Sequence, residues 1–172
     1  MVLHELASRI GKMEGLDRGA GPAARTAKRL IPAGPVKDVL SGSQVGHPLH
    51  PALTDVPIGA YTAATVLDLI GGRRSENAVD ALLLLGIVAT LPTASAGLAD
   101  WSDTYGEEQR IGLVHAVANV AALSLFAGSL AARRDGRTGA GRVLSLAGMA
   151  TLTAGGYLAI LATPSTRISC SR

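Results

Sequence analysis

Four apolar runs, near residues 51–70, 78–99, 111–132 and 143–163, constrain this chain more than any other feature. Each is close to the 20 or so residues that a hydrocarbon layer about 30 Å thick demands of a helix. A water-soluble bundle would show apolar stripes beside charged faces. These runs are apolar all the way round, and the charges gather between them. Only 17% of the 172 residues are charged, and mean hydropathy is +0.32. The pattern predicts an all-α fold: a four-helix transmembrane bundle with an amphipathic helical N-terminal arm.

The arm covers residues 1–46, the four-helix domain 47–163 and a polar tail 164–172. In the arm, Leu3, Leu6, Ile10 and Met13 recur at helical spacing among charges. This predicts a helix that lies on a membrane surface or packs on a partner. Gly19-Ala20-Gly21-Pro22 is expected to break it, with a second short helix over residues 23–30. The net charge of +3 and pI near 9.4 do not point to nucleic acid. The arginines sit at the ends of apolar runs, and aromatics make up only 3% of the chain. One cysteine, Cys170, allows no internal disulfide or CxxC site. No secretory signal is read at the N-terminus.

The most unusual stretch is His47-Pro48-Leu49-His50-Pro51, followed by Thr54-Asp55-Val56-Pro57. A residue before proline is pushed out of the α region, and proline is welcome at a first helical position. The first membrane helix is therefore expected to start at Pro51, with His47 and His50 in an extended lead-in. Pro57 withdraws a donor and strains the carbonyl of Leu53. In the second helix Ala89, Thr93 and Gly97, and in the fourth Ala147, Thr151 and Gly155, form small-residue seams. His115 and Asn119 share a face of the third helix. Ala89-Thr90-Leu91 echoes Ala150-Thr151-Leu152, and the first and third helices each carry a histidine near the start and an arginine pair after the end. That pattern is either a duplicated hairpin or chance.

Four crossings place the arm, the acidic loop Asp100–Glu108 and the tail at one end. Arg73, Arg74, Arg133, Arg134, Arg137 and Arg142 lie at the other, which the positive-inside rule assigns to the cytoplasm. In a plasma membrane the histidine end then faces outward. The arm, with basic residues such as Arg9 and Lys12, argues against that orientation. Helix count and direction bring His47, His50, Asp55, Asp100, Asp103 and His115 to one end. The histidines His47, His50 and His115 are the candidates for a b-type haem. With Asp55, Asp100 and Asp103 they are candidates for a transition metal. A proton relay is a third use. The structural alternative makes His115 and Asn119 an interhelical pair and Asp55 an acceptor of N–H groups near the helix start. Asp68, Asp80 and Asp135 read as solvated. No nucleophile motif or phosphate loop argues for independent catalysis.

Gly46-His47-Pro48-Leu49-His50-Pro51, Thr54-Asp55-Val56-Pro57-Ile58-Gly59, Ser95-Ala96-Gly97-Leu98-Ala99-Asp100-Trp101-Ser102-Asp103 and Gly112-Leu113-Val114-His115-Ala116 together resemble a bacterial family of four-helix membrane proteins whose domain has no assigned function. Residues 30–38 resemble the lead-in of an actinobacterial subgroup fused to a Rieske iron–sulfur domain. The resemblance implies a redox-associated module, with the bilayer, an iron–sulfur electron-transfer protein and a second copy of the chain as partners. The alternative is a non-catalytic scaffold or anchor. The Cys and His ligand pairs of a Rieske domain are absent here. Relatives also carry a histidine after a further glycine pair in the fourth helix, where this chain reads Ala159-Ile160-Leu161. Beyond Leu161 the tail departs from the family pattern.

Overall fold

The computed structural model describes residues 2–162, and among these every regular element is helical. The expected polar tail, with Cys170, lies outside the described residues. Three short helices, α1 (Val2–Gly11), α2 (Asp17–Leu30) and α3 (Pro35–Leu40), precede four long ones. The long helices are α4 (Leu49–Ile70), α5 (Glu76–Trp101), α6 (Gly106–Arg134) and α7 (Thr138–Ala162). Three segments, Leu49–Ile70, Gly72–Trp101 and Gly106–Arg134, are long and apolar enough to cross a membrane. Only 28%, 22% and 17% of their most apolar stretches are buried within the protein. Such helices need an apolar surrounding, and the lipid-facing side includes Val66, Leu84, Leu85, Val88, Val117 and Val120.

The long helices pair as two hairpins, α4 with α5 and α6 with α7, and the hairpins pack side by side. Rings seated against glycines close the interfaces. A Cβ on Gly86 of α5 would come within 2.5 Å of the Tyr61 ring, and one on Gly148 of α7 within 3.1 Å of Phe126. The absence of a side chain at these positions lets the helices approach closely without water-mediated driving force. Tyr61 and Phe126 then stack on each other at the centre of the bundle, centroids 3.7 Å apart and planes within 5°.

Sequence-equivalent positions face one another across the two hairpins. His50 and His115, Thr54 and Asn119, Tyr61 and Phe126, Asp68 and Arg133 are each 65 residues apart. Along α5 and α7 the interface residues Val79, Leu83, Gly86 and Thr93 recur as Gly141, Ser145, Gly148 and Gly155, each 62 residues on. The two hairpins thus run parallel and meet through positions at matching places along each. The echo in the sequence is offset by one residue from this register: Thr90 corresponds to Leu152, not to Thr151. The α7 seam accordingly runs through Gly141, Ser145, Gly148 and Gly155, and Ala147 is exposed.

Two further expectations are corrected. Asp68 is not solvated: it is 7% exposed and ion-paired with Arg133, itself 7% exposed. Arg142 Nε lies 3.6 Å from Asp68 Oδ1, and Arg133 Nη1 lies 4.0 Å from Asp80 Oδ1. A charge at that depth is tolerable only when paired. Asp80 is partly exposed, and Asp135 is exposed beside Arg137 at 3.6 Å. In the arm, the Gly19–Pro22 stretch does not break the chain but lies inside α2. Ala20, Ala24 and Ala27 form a buried face on that helix, and α2 packs on α5 and α6; tertiary packing overrides the local breaker signal. The first arm helix likewise packs on α6 and α7.

Ion pairs clamp the arm to the acidic end. Arg110 grips both oxygens of Asp17 at 2.7 Å and donates to the Gly11 carbonyl at 2.8 Å. Lys37 Nζ sits 2.6 Å from Asp103 and 3.1 Å from Ser102 Oγ, and Lys28 Nζ 3.6 Å from Asp103. The hydrogen bond from Lys37 holds the Asp103 carboxyl below the usual carboxylate range, as Arg110 does for Asp17. A depressed folded-state value means the clamp contributes above the unfolded value near pH 4 and is lost as pH falls through the lower folded one. Hydrogen exchange of α2 amides should therefore stay constant from pH 7 to about 4 after correction for intrinsic rates, then rise. Lys37→Met should weaken the clamp by no more than about 1 kcal/mol, because Asp103 is exposed. Arg133→Met should cost about 3 kcal/mol in detergent unfolding, whereas Asp68→Leu with Arg133→Met should recover most of it.

Candidate functional site

Proline chemistry sets up the histidine end. Pro48 is the residue before α4, in an extended conformation at φ −57° and ψ 127°. The helix starts at Leu49 rather than Pro51, because Pro51 still falls in the first turn, where no N–H is required. His50 is therefore helical, contrary to the expectation of an extended lead-in. His47 remains in the lead-in and is exposed. Gly42 shapes that lead-in at φ +73°, where a Cβ would strike the His47 carbonyl.

Placed on α4, the His50 ring lies against Gly97 of α5, where a Cβ would come within 2.8 Å of it. Its Nδ1 meets the Thr93 carbonyl at 2.9 Å. Pro57 strips the Leu53 carbonyl of its helical donor, and the Thr93 hydroxyl lies 3.2 Å from it, sharing its one hydrogen between that carbonyl and Ala89 O at 2.8 Å. One residue, Thr93, thus accepts from α4 and donates back to it. The strain read at Leu53 is relieved by the neighbouring helix.

The second hairpin repeats the device. His115 Nδ1 meets the Gly155 carbonyl of α7 at 3.0 Å, and Gly155 has no room for a Cβ, which would lie 2.7 Å from Ala118. A ring nitrogen facing a carbonyl must carry the hydrogen, so Nδ1 is the donor in both imidazoles and Nε2 holds the lone pair in the neutral ring. Asn119 donates to His115 Nε2 at 2.7 Å. The His115–Asn119 pair therefore lies within α6, and the link to the next helix runs through Nδ1. At the equivalent place in α4, Thr54 donates to the His50 carbonyl at 2.6 Å and leaves His50 Nε2 without a protein partner among the described residues.

A cavity of about 120 Å³ lies between the hairpins. His50, Thr54, Thr93, His115 and Asn119 line it towards the histidine end, with Tyr61 and Phe126 deeper in. The carboxylates of the predicted constellation are elsewhere. Asp55 is exposed on α4, beyond the first turn where free N–H groups lie. Asp103 is exposed and held by the arm lysines. Asp100, in the last turn of α5, is half-buried and does not line the cavity. Among the described residues no three His, Cys, Asp or Glu side chains cluster as a metal site requires. A bis-histidine haem needs both Nε2 atoms, yet His115 Nε2 is occupied by Asn119. At about 120 Å³ the cavity is also far too small for a macrocycle of four pyrrole rings, since even one benzene ring takes up a cavity of about 150 Å³. The residues present do not fit that group.

Sequence reasoning missed Thr93 as an interhelical donor, the Tyr61–Phe126 stack and the Asp68–Arg133 pair. The 65-residue recurrence of histidine followed by an aromatic and then a charge is the signal for the last two, and no sequence pattern marks Thr93.

Two apolar hairpins, rings seated on glycines and histidine and threonine side chains bonded between helices define a helical integral membrane protein. The chain belongs to the family described as predicted membrane protein (DUF2231), whose family model matches residues 46–166. No curated protein and no solved structure matched it.

If Thr93 carries the α4–α5 contact, Thr93→Val, which keeps the volume and removes the hydroxyl, should destabilise the protein by roughly 0.6–1.7 kcal/mol. Detergent-titrated unfolding checks this. Ser95→Ala serves as control, because Ser95 bonds only within its own helix.

Proposed function

We propose that this protein is a non-catalytic membrane scaffold in which His50 and His115 hold helices together instead of binding a cofactor. The observation that carries the reading is that each imidazole donates Nδ1–H to a backbone carbonyl of the partner helix in its own hairpin, at equivalent positions. In this reading α7 crosses the bilayer with the other three long helices. It packs along α6 over the length of the hairpin, and its sequence is apolar from Val143 onward.

The membrane is the plasma membrane, with the histidine end outside. Arg73, Arg74, Arg134 and Arg137 support this orientation, being exposed at the opposite end. The clamped arm would then sit on the outer face as a folded cap.

Replacing His50 and His115 together by Phe tests the reading. The expected result is a loss of stability of about 1 kcal/mol, near twice the average for a single interhelical hydrogen bond in a membrane. The wild-type protein from haem-replete cells should show no Soret band and no stoichiometric metal. A band or a metal that disappears in the double variant overturns the proposal.

A further inference from the structure

The two halves differ at one chemically decisive place. In α6, Asn119 caps His115 Nε2; in α4, the equivalent Thr54 turns its hydroxyl to the His50 carbonyl. Of the two imidazoles, only that of His50 therefore presents an open lone pair beside the cavity. The neighbouring hydroxyl hydrogens are also committed. Thr90 donates to Gly86 O at 2.7 Å, so the 3.1 Å contact from Tyr61 is a donation by the Tyr61 hydroxyl. Thr93 donates to backbone carbonyls. Apart from the second amide hydrogen of Asn119, the polar wall offers acceptors only.

An acceptor-lined cavity within apolar helices recognises a donor. At about 120 Å³ it is a little smaller than the enclosed apolar cavity of about 150 Å³ that takes up benzene, and because exposed residues form part of its lining a single six-membered ring can enter with one edge left outside. Ile58 of α4 and Ala94 of α5 line it and are themselves exposed, so its lining reaches the apolar outer surface of the bundle.

We propose that this cavity binds a small apolar molecule bearing one hydroxyl donor, of the phenol class, with His50 Nε2 as its acceptor and the aromatic Tyr61–Phe126 pair at its inner end. The site is asymmetric because Thr54 replaces the capping amide found at Asn119.

Fluorine NMR of the full chain in detergent, titrated with 4-fluorophenol and with 4-fluoroanisole, tests the proposal. Saturable binding of the phenol is expected, with the anisole about three- to tenfold weaker for lack of the donor. Thr54→Asn should cap His50 as Asn119 caps His115 and bring the phenol down to the anisole's affinity. Asn119→Thr should leave phenol binding intact. Gly156→Leu fills the cavity from a position where a Cβ meets nothing within 4 Å, and should abolish saturable binding of both probes. Equal affinity for the two probes in the wild-type protein overturns the proposal. So does Thr54→Asn without effect, or an undiminished signal in Gly156→Leu, which would mean partition into detergent.

Discussion

A donor or acceptor left alone in hydrocarbon costs several kcal/mol, and the bundle is arranged so that such groups meet across helices. Pro57 is the clearest case. It removes the N–H that the Leu53 carbonyl needs, and a hydroxyl from α5 comes within 3.2 Å of that carbonyl. The same residue offers its own carbonyl to His50. Proline, threonine and histidine are therefore one unit: the kink creates the acceptor, the seam supplies the donor, and the imidazole closes the ring. The glycines complete this unit, because Gly97 and Gly155 admit the backbone approach that makes the contacts short.

Much of this was legible from residues alone, and the reasons for the rest are physical. Apolar length identified α4, α5 and α6, because lipid selects on hydropathy and the signal accumulates over some 20 residues. The start of α4 was misplaced by two residues, since a proline in the first turn satisfies the same rule at more than one position. Ala147 was assigned to a seam that runs through Gly148, because small residues abound in α7 and periodicity alone cannot choose among them. The nearness of Asp68 to a loop predicts a solvated carboxylate, and burial beside Arg133 overturns that. Its partner Arg133 lies 65 residues away, and no local pattern reveals a pair that exists only after the hairpins meet.

The candidate site was legible in part. His50 and His115 do line one cavity, as topology requires once the helices alternate in direction. His47 and the carboxylates do not join them, because a shared end of a bundle is a much weaker condition than a shared contact. Asp103 shows the difference: it has the charge and the end of the bundle expected of a ligand, yet it is committed to Lys37 and Lys28 of the arm. The tautomer of each imidazole, and so the difference between a capped and an open nitrogen, emerged only from the identity of the groups around it.

The Asp68–Arg133 pair makes the two hairpins non-interchangeable. Because these residues occupy matching places in the two hairpins, two first hairpins brought together would bury carboxylate against carboxylate, and two second hairpins guanidinium against guanidinium. Like charges so placed repel strongly where water is scarce. A hairpin can thus mate only with its opposite number.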